Sequence, residues 1–493
     1  MSTDSRYDIK SRASRASLWS GADIFLRQGL QFAVSITLAR LLTPEEFGTV
    51  ALLALFIGVA GIMIDSGFSS ALIQRQNVTR EEESAVFWFN AGMGLIAAAL
   101  LCLASPAIAA FFDAPVLVPL TCVMALNLFI SSLGSVHTAL LSKVLDFKTQ
   151  MKVGAVASAI SGATAVVMAW RGAGVWALAG QVLLATVTTV ILLWAWHDWR
   201  PLWAFSFKTL KPLFGFGGFF LLSGLLDTIY GRVTTLIIGK LYSVGDLGQY
   251  NRAWGTQQLP ANTLSSIMNR VAFPSFSAHA QDKDLLSRAT RKVLRGLMFL
   301  NTPAMFGLMA SARPAVEVLF GPQWLPCVPI LQVLCLYGLF WPLHLINLNV
   351  LMAQGYSNLF FRLEVAKKTI GVGVLLAASP FGILAMAWSQ VVLGAISFVL
   401  NAHYTGVFLK YSSFRQMLDT LPFVLLAVPM AGIVWLIPKG AALPAFPLLC
   451  VQVGVGAALY LGMAAVLRLE TFLEAWALGR DLLHRAHPHP AAS

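Results

Sequence analysis

Charge is what this sequence has least of. Asp, Glu, Lys and Arg together make up 11% of its 493 residues, whereas a soluble globular chain carries about a quarter. That deficit excludes an ordinary soluble protein, and no stretch is polar for long enough to form a soluble domain of its own. Cysteine is sparse too. The five cysteines (Cys102, Cys122, Cys327, Cys335, Cys450) form no CxxC and mostly sit in apolar runs, so they read as small core hydrophobes rather than disulfides or metal ligands. There is no GxxxxGK[ST], HExxH or GxSxG. Gly215-Phe216-Gly217-Gly218-Phe219 lies inside an apolar run, where glycine serves helix packing better than nucleotide binding. His137, His344 and His403 have no spacing partners and read as packing residues, while His484, His487 and His489 read as part of a solvated tail. No cofactor and no metal is expected. The outer connections are all short, which counts against a membrane polymerase, ligase or glycosyltransferase.

What the sequence does have is hydrophobicity. Mean hydropathy is +0.73 and 57% of residues are hydrophobic, the signature of an integral membrane protein. A membrane-spanning helix needs about 17–25 apolar residues. Such runs recur near 18–41, 47–68, 84–111, 115–140, 153–170, 174–196, 212–240, 252–274, 294–318, 328–352, 358–378, 381–404, 419–437 and 443–467. The expectation is an all-α membrane protein with about 14 transmembrane helices. No small-residue cleavage site follows the first run, which reads as an uncleaved anchor.

The excess of basic over acidic residues, 34 against 22, follows the membrane rather than a nucleic acid. With the N-terminus placed in the cytoplasm, 25 Lys and Arg fall in inner segments and 6 in outer ones (Arg40, Arg171, Lys240, Arg252, Arg313, Lys439). This bias orients the chain with both termini cytoplasmic and removes nucleic acid as a partner.

The chain also repeats itself. Arg40-Leu41-Leu42-Thr43-Pro44-Glu45-Glu46-Phe47-Gly48 returns 200 residues later as Lys240-Leu241-Tyr242-Ser243-Val244-Gly245-Asp246-Leu247-Gly248. Six runs separate the copies, an even number, so both face the same way. This implies two parallel six-helix halves, with two further helices at the C-terminus. The expected organisation is a cytoplasmic N-terminal segment (1–17), an N-terminal half (18–205), a C-terminal half (206–405), two extra helices (406–467) and a cytoplasmic tail (468–493).

Polar residues inside these runs are costly in hydrocarbon and are the candidates for function. Asp23, Arg27 and Gln31 are spaced four apart and share a helical face, with Gln28 beside them. Asp227 stands 200 residues after Arg27, and Arg232 follows it. Asp23–Arg27 reads either as a self-satisfied pair or as part of a site; an Arg27–Asp227 pair between the halves is a further arrangement. Gln258, Asn262, Ser265, Ser266 and Asn269, ending at Arg270, form another stripe, equally suited to interhelical hydrogen bonds and to a ligand. Asn90 and Asp65 read as structural.

Several motifs resemble one family. LARLLTPEEFG (38–48), DSGFSSALIQR (65–75), ESAVFWFN (83–90), ALLSKVLDFKTQ (139–150), LIIGKLYSVGDLGQYNRA (236–253) and Pro274-Ser275-Phe276-Ser277 look like the polysaccharide transporter family. These are Wzx-type flippases, of the WzxC-like branch, in the superfamily that also holds multidrug extruders and the lipid II flippase. The resemblance covers residues 15 to 410 or so. It departs at Thr234 and Thr235, where related sequences carry Asp or Asn. The resemblance implies a flippase for undecaprenyl-pyrophosphate-linked oligosaccharide repeat units, working by alternating access. Its partners would be membrane lipids and polymerase or export machinery, with coupling to Na⁺ or H⁺ left open. A cation-coupled multidrug extruder and a lipid II flippase are the alternatives. In this reading Arg27 grips pyrophosphate with its planar donor fork, Asp23 holds that guanidinium when the site is empty, and Gln28 and Gln31 bond sugar hydroxyls.

Overall fold

The computed structural model describes residues 29–65, 68–75, 78–203, 205, 207–268, 276–277, 279–440, 443–474 and 476–477. Among these residues there is no strand, and the chain is a succession of helices. A chain in hydrocarbon must satisfy its backbone polar groups internally, and a helix does so within one segment.

The chain divides into two compact units, Met1–Gly248 and Gln249–Ser493. The first carries α1 (Gly29–Leu41), α2 (Pro44–Leu52), α3 (Ala54–Asp65), α4 (Phe68–Gln74), α5 (Arg80–Phe112), α6 (Leu117–Ser132), α7 (Ser135–Lys143), α8 (Phe147–Trp170), α9 (Val175–Trp196) and α10 (Phe207–Leu241). The helix α11 (Val244–Ile267) begins in the first unit and continues into the second. The second unit holds α12 (Lys283–Ala310), α13 (Ala312–Leu319), α14 (Cys327–Ala353), α15 (Ser357–Ala378), α16 (Ile383–Leu409), α17 (Ser413–Gly440) and α18 (Ala445–Val466).

Every expected apolar run coincides with a helix over its described residues. Among the described residues, 9 helices are long and apolar enough to cross a membrane, and the pair α6–α7, bent by 41°, makes a tenth if counted as one span. The other runs correspond to α1, α10, α11 and α15. Two of these are interrupted by polar groups: α11 carries Asp246, Arg252 and a series of amides, and α15 carries Arg362, Glu364, Lys367 and Lys368. Over the described residues, length and apolarity alone thus select ten of the fourteen runs counted in the sequence.

In the first unit, helix starts are set by local chemistry. Thr43 and Glu46 form a capping box: the Glu46 amide donates to Thr43 Oγ1 and the Thr43 amide donates to Glu46 Oε2 at 2.7 Å. Thr79 and Glu82 repeat it at the start of α5, whose 33 residues reach about 50 Å. Small residues set the packing. A Cβ on Gly94 of α5 would come within 2.6 Å of Ser132 Oγ on α6, and one on Gly162 of α8 within 2.5 Å of Val34 on α1. From that contact Leu38 and Leu42 run on against Ala165, Ala169 and Ala177. The chain after α9 folds back on α5, where Trp199 Nε1 donates to Glu83 Oε2 at 2.6 Å and Trp88 Nε1 donates to the Leu202 carbonyl at 2.8 Å. His137 is buried beside Trp194 and Trp199, each ring centroid 5.1 Å away.

In the second unit one core runs through α12, α14, α16, α17 and α18. Leu294, Leu297 and Phe299 of α12 meet Phe423 and Met430 of α17, and Tyr460 and Ala464 of α18. The last two helices thus share the core of that unit instead of standing apart from it. The start of α17 is tied by ions. Asp419 accepts from Arg291 Nε at 2.7 Å, from Arg295 at 2.9 Å and from the Tyr411 hydroxyl at 2.8 Å. Burial and the bond to Asp419 push the Tyr411 hydroxyl well above its ordinary pKa.

Candidate functional site

Asp23, Arg27, Gln28, Asn269 and Arg270 lie outside the described residues, so the opening stripe is represented in the structure by Gln31 alone. Gln31 is exposed near the start of α1. It precedes Val34 by three residues and Leu38 by seven, and so shares the helical face that packs on α8.

Asp227 and Arg232 lie well inside the 35-residue α10, and both are exposed. Their neighbours explain why. Thr228, the next residue, packs into the gap left by Gly58 of α3, where a Cβ would be 2.9 Å from its methyl group. Gly224 lies over Ile62, at 3.4 Å for an added Cβ. That contact uses the α3 side of α10 and leaves Asp227 on another side. A charged group exposed deep within a membrane helix faces water or a protein interior in preference to lipid.

In the second unit, Gln258 is half-buried and Asn262 exposed on α11. Ser265 of the same stripe accepts a hydrogen bond from Trp341 Nε1 at 2.9 Å, which is interhelical bonding. Arg252, near the start of α11, stacks its guanidinium over the rings of Phe320 and Trp324 at 4.6 and 4.7 Å.

Three groupings in this unit escape a reading by periodicity. Asn347 of α14 and Gln416 of α17 exchange two amide bonds of 2.9 Å each, both side chains buried. Asn301 of α12 donates to the Gly338 carbonyl of α14 at 3.0 Å. The third grouping is charged. Lys367, counted above among the inner loop cations, is only 6% exposed within α15 and is bonded to Glu364 one turn earlier. Removing it leaves 24 inner cations against 6 outer ones in the expected orientation. His344 of α14 is hydrogen-bonded to Asn401 of α16, Nδ1 to Nδ2 at 2.7 Å. Packing alone therefore does not describe His344. The one available signal was composition: a lysine and a glutamate three apart, followed by a long apolar run.

Cavities in this unit are mostly apolar. One of about 580 Å³ lies among α12, α14, α16 and α17, walled by Phe306, Met309, Leu336, Trp388 and Trp435. Another of about 450 Å³ lies along α12, α17 and α18, walled by Phe299, Pro303, Met430, Val453 and Tyr460. Their linings are mainly apolar, with Gln332 in the first and Ser311 and Gln452 in the second. Among the described residues no cluster of three or more His, Cys, Asp or Glu is placed to hold a metal ion.

The chain is a multi-pass helical membrane protein with polar and charged side chains set among its apolar helices. The fold is similar to that of the lipid II flippase MurJ in an inward closed conformation, with a TM-score of 0.74 over 91% of this chain and 98% of that one, at 14% identity. The chain belongs to the family described as polysaccharide biosynthesis protein, whose model matches residues 37–329. Among curated relatives it is similar to the lipopolysaccharide biosynthesis protein WzxC of Escherichia coli, 25% identical over 85% of this chain and 86% of that protein. It is also similar to the succinoglycan biosynthesis transport protein ExoT of Rhizobium meliloti, 29% identical over 62% of each chain.

Proposed function

We propose that this protein is a flippase. It moves undecaprenyl-pyrophosphate-linked oligosaccharide repeat units from the cytoplasmic to the periplasmic leaflet of the bacterial inner membrane, for exopolysaccharide or O-antigen synthesis. The observation that carries this reading is membership of the polysaccharide biosynthesis family together with charged side chains exposed inside a spanning-length helix, Asp227 and Arg232 of α10. A sugar–pyrophosphate headgroup cannot cross about 30 Å of hydrocarbon unaided, while its lipid tail stays in the bilayer. The protein's task is then to give the headgroup a polar path open to one side at a time. Asp23, Arg27, Gln28, Gln31, Asp227, Arg232, Gln258, Asn262, Asn269 and Arg270 are the residues we assign to that path, with the cations and amides matched to phosphate and hydroxyl oxygens. Both termini are cytoplasmic, and the product is handed to a polymerase or export machinery outside.

Deleting the gene tests this. Surface polysaccharide should be lost, lipid-linked repeat units should accumulate on the cytoplasmic leaflet, and drug resistance should be unchanged. Units accumulating on the periplasmic leaflet would mean a polymerase, and a fall in drug resistance would mean an extruder.

A further inference from the structure

A cavity in two parts lies at one end of the second unit, where α12 ends and α14 and α16 begin. In the proposed orientation this is the outer end. The apolar part is the cavity of about 580 Å³ walled by Phe306 of α12, Leu336 of α14, Trp388 of α16, and Gly432 and Trp435 of α17. The other part, of about 560 Å³, shares Ala310, Gln332 and Trp435 with it and carries Arg313, Glu317 and Gln452 in its wall. Each volume is that of a ligand site, about 300–1,000 Å³. Trp388 and Trp435 are 47% and 52% exposed, and tryptophan with one face wet is the residue of a membrane–water interface. The cavity thus changes from apolar to charged where hydrocarbon gives way to lipid headgroups.

Local chemistry makes the polar part. In α13, Ala312, Pro314, Ala315 and Val316 are buried, while Arg313 and Glu317, four residues apart on one face, are exposed. Among the described residues neither is held in an ion pair, and cation before anion is the weaker order for pairing along a helix. Gln452 of α18 is 2% exposed. Pro438 of α17 has no N–H, so the Val434 carbonyl four residues earlier loses its helical donor. Gln452 Nε2 donates to that carbonyl at 2.9 Å, which fixes the direction of the amide. Its Oε1 is left buried without a partner, an arrangement that stays costly until a donor meets it.

The polar part therefore offers one cationic donor and two acceptors. A phosphate alone would meet Arg313 and be repelled by Glu317, and an amine alone would face the reverse. A ligand that carries both charges on a short link satisfies all three groups. The adjoining apolar part requires that this ligand also carry a hydrocarbon chain.

We propose that the cavity holds one phosphatidylethanolamine of the outer leaflet. Its phosphate sits on Arg313, its ammonium on Glu317 and Gln452 Oε1, and an acyl chain fills the apolar part among α12, α14, α16 and α17. The guanidinium fork matches phosphate oxygens, and a primary ammonium supplies the N–H donors that a quaternary one lacks. Because the lipid fills space between four helices of one core, its binding stabilises the fold by mass action. The site serves a membrane lipid whatever the protein transports, and so stands apart from the flippase reading.

The test uses the purified, delipidated full-length protein in detergent. The probes are phosphatidylethanolamine, phosphatidylglycerol and phosphatidylcholine with identical chains, and undecaprenyl phosphate. Native mass spectrometry should show one phosphatidylethanolamine bound about tenfold more tightly than either other phospholipid, the ratio that one charged contact gives. The melting temperature should rise with its concentration. Glu317→Gln should remove the preference, and Arg313→Gln should weaken all three phospholipids by about tenfold, since all share the phosphate. A Cβ on Gly432 meets nothing within 4 Å, so Gly432→Leu has room to enter the apolar part. It should lower binding of every phospholipid while the lipid-free protein melts as before. Equal affinities for the three phospholipids, a preference that survives Glu317→Gln, or binding indifferent to Gly432→Leu would each overturn the proposal. So would undecaprenyl phosphate displacing phosphatidylethanolamine at equal concentration, which would assign the cavity to a polyprenyl chain. The flippase reading fails separately, through surface polysaccharide that persists after gene deletion.

Discussion

Gly48 and Gly248 each lie against the backbone carbonyl of the residue four places before the other. A Cβ on Gly48 would come within 1.9 Å of the Val244 oxygen, and one on Gly248 within 2.0 Å of the Pro44 oxygen. These are the closing glycines of the two copies of the internal repeat, and the copies touch through equivalent atoms. Equivalent starts precede both: Thr43 caps α2 by accepting from the Glu46 amide, and Ser243 Oγ accepts from the Asp246 amide at 3.0 Å. Two helix starts can approach this closely only where neither carries a side chain.

Gly48→Ala and Gly248→Ala should therefore each destabilise the protein, by about 1–3 kcal/mol as overpacking does. Gly245 is the control. An added Cβ there meets only the Glu45 carboxylate, at 2.8 Å, which is the movable end of a flexible side chain. Gly245→Ala should cost a small fraction of that. Thermal unfolding in detergent, with the three variants side by side, checks the order.

The ion cluster at Asp419 predicts another order. Asp419 is 7% exposed, while Arg291 and Arg295 are 53% and 30% exposed. Asp419→Ala leaves two guanidinium groups facing one empty acceptor site. Because water still reaches the arginines, the loss should be about 2–3 kcal/mol, below that of a fully buried pair. Tyr411→Phe removes one hydrogen bond and should cost about 1 kcal/mol. Equal melting temperatures for the two variants would contradict this.

Reporter fusions read the orientation. Fusions after Lys211 and after Arg415 should report cytoplasm, and one at Lys439 should report periplasm. A periplasmic signal at either of the first two would break the charge-based topology and, with it, the even number of spans between the repeats.

Arg27 separates recognition of a headgroup from local neutralisation. If it grips pyrophosphate, Arg27→Lys should impair transport and Arg27→Ala abolish it at normal membrane abundance, since a point charge cannot replace the bidentate fork. If it only neutralises Asp23, the double change Asp23→Asn with Arg27→Gln should restore surface polysaccharide, because no unpaired charge remains in the membrane.

The helices were legible in the sequence because hydrocarbon leaves the backbone few alternatives. A long apolar run must become a helix, and each such run is helical over its described residues. The repeat was legible as well, since hydroxyl, acid, bulky apolar residue and Gly recur in register from Thr43 to Gly48 and from Ser243 to Gly248. That Gly48 lies against the Val244 carbonyl and Gly248 against the Pro44 carbonyl was not, because sequence spacing fixes a position along a helix and says nothing of what lies opposite. Lys367 shows the same limit in energetic terms. Although it falls within the apolar run near 358–378, it counted as an inner cation, and only the packing of α14, α15 and α16 encloses it with Glu364 and brings His344, 57 residues away from Asn401, into hydrogen-bond reach. In helices that are apolar almost all round, periodicity does not tell which side a polar residue takes; the neighbouring helices decide it, by what they leave for that side chain to bond.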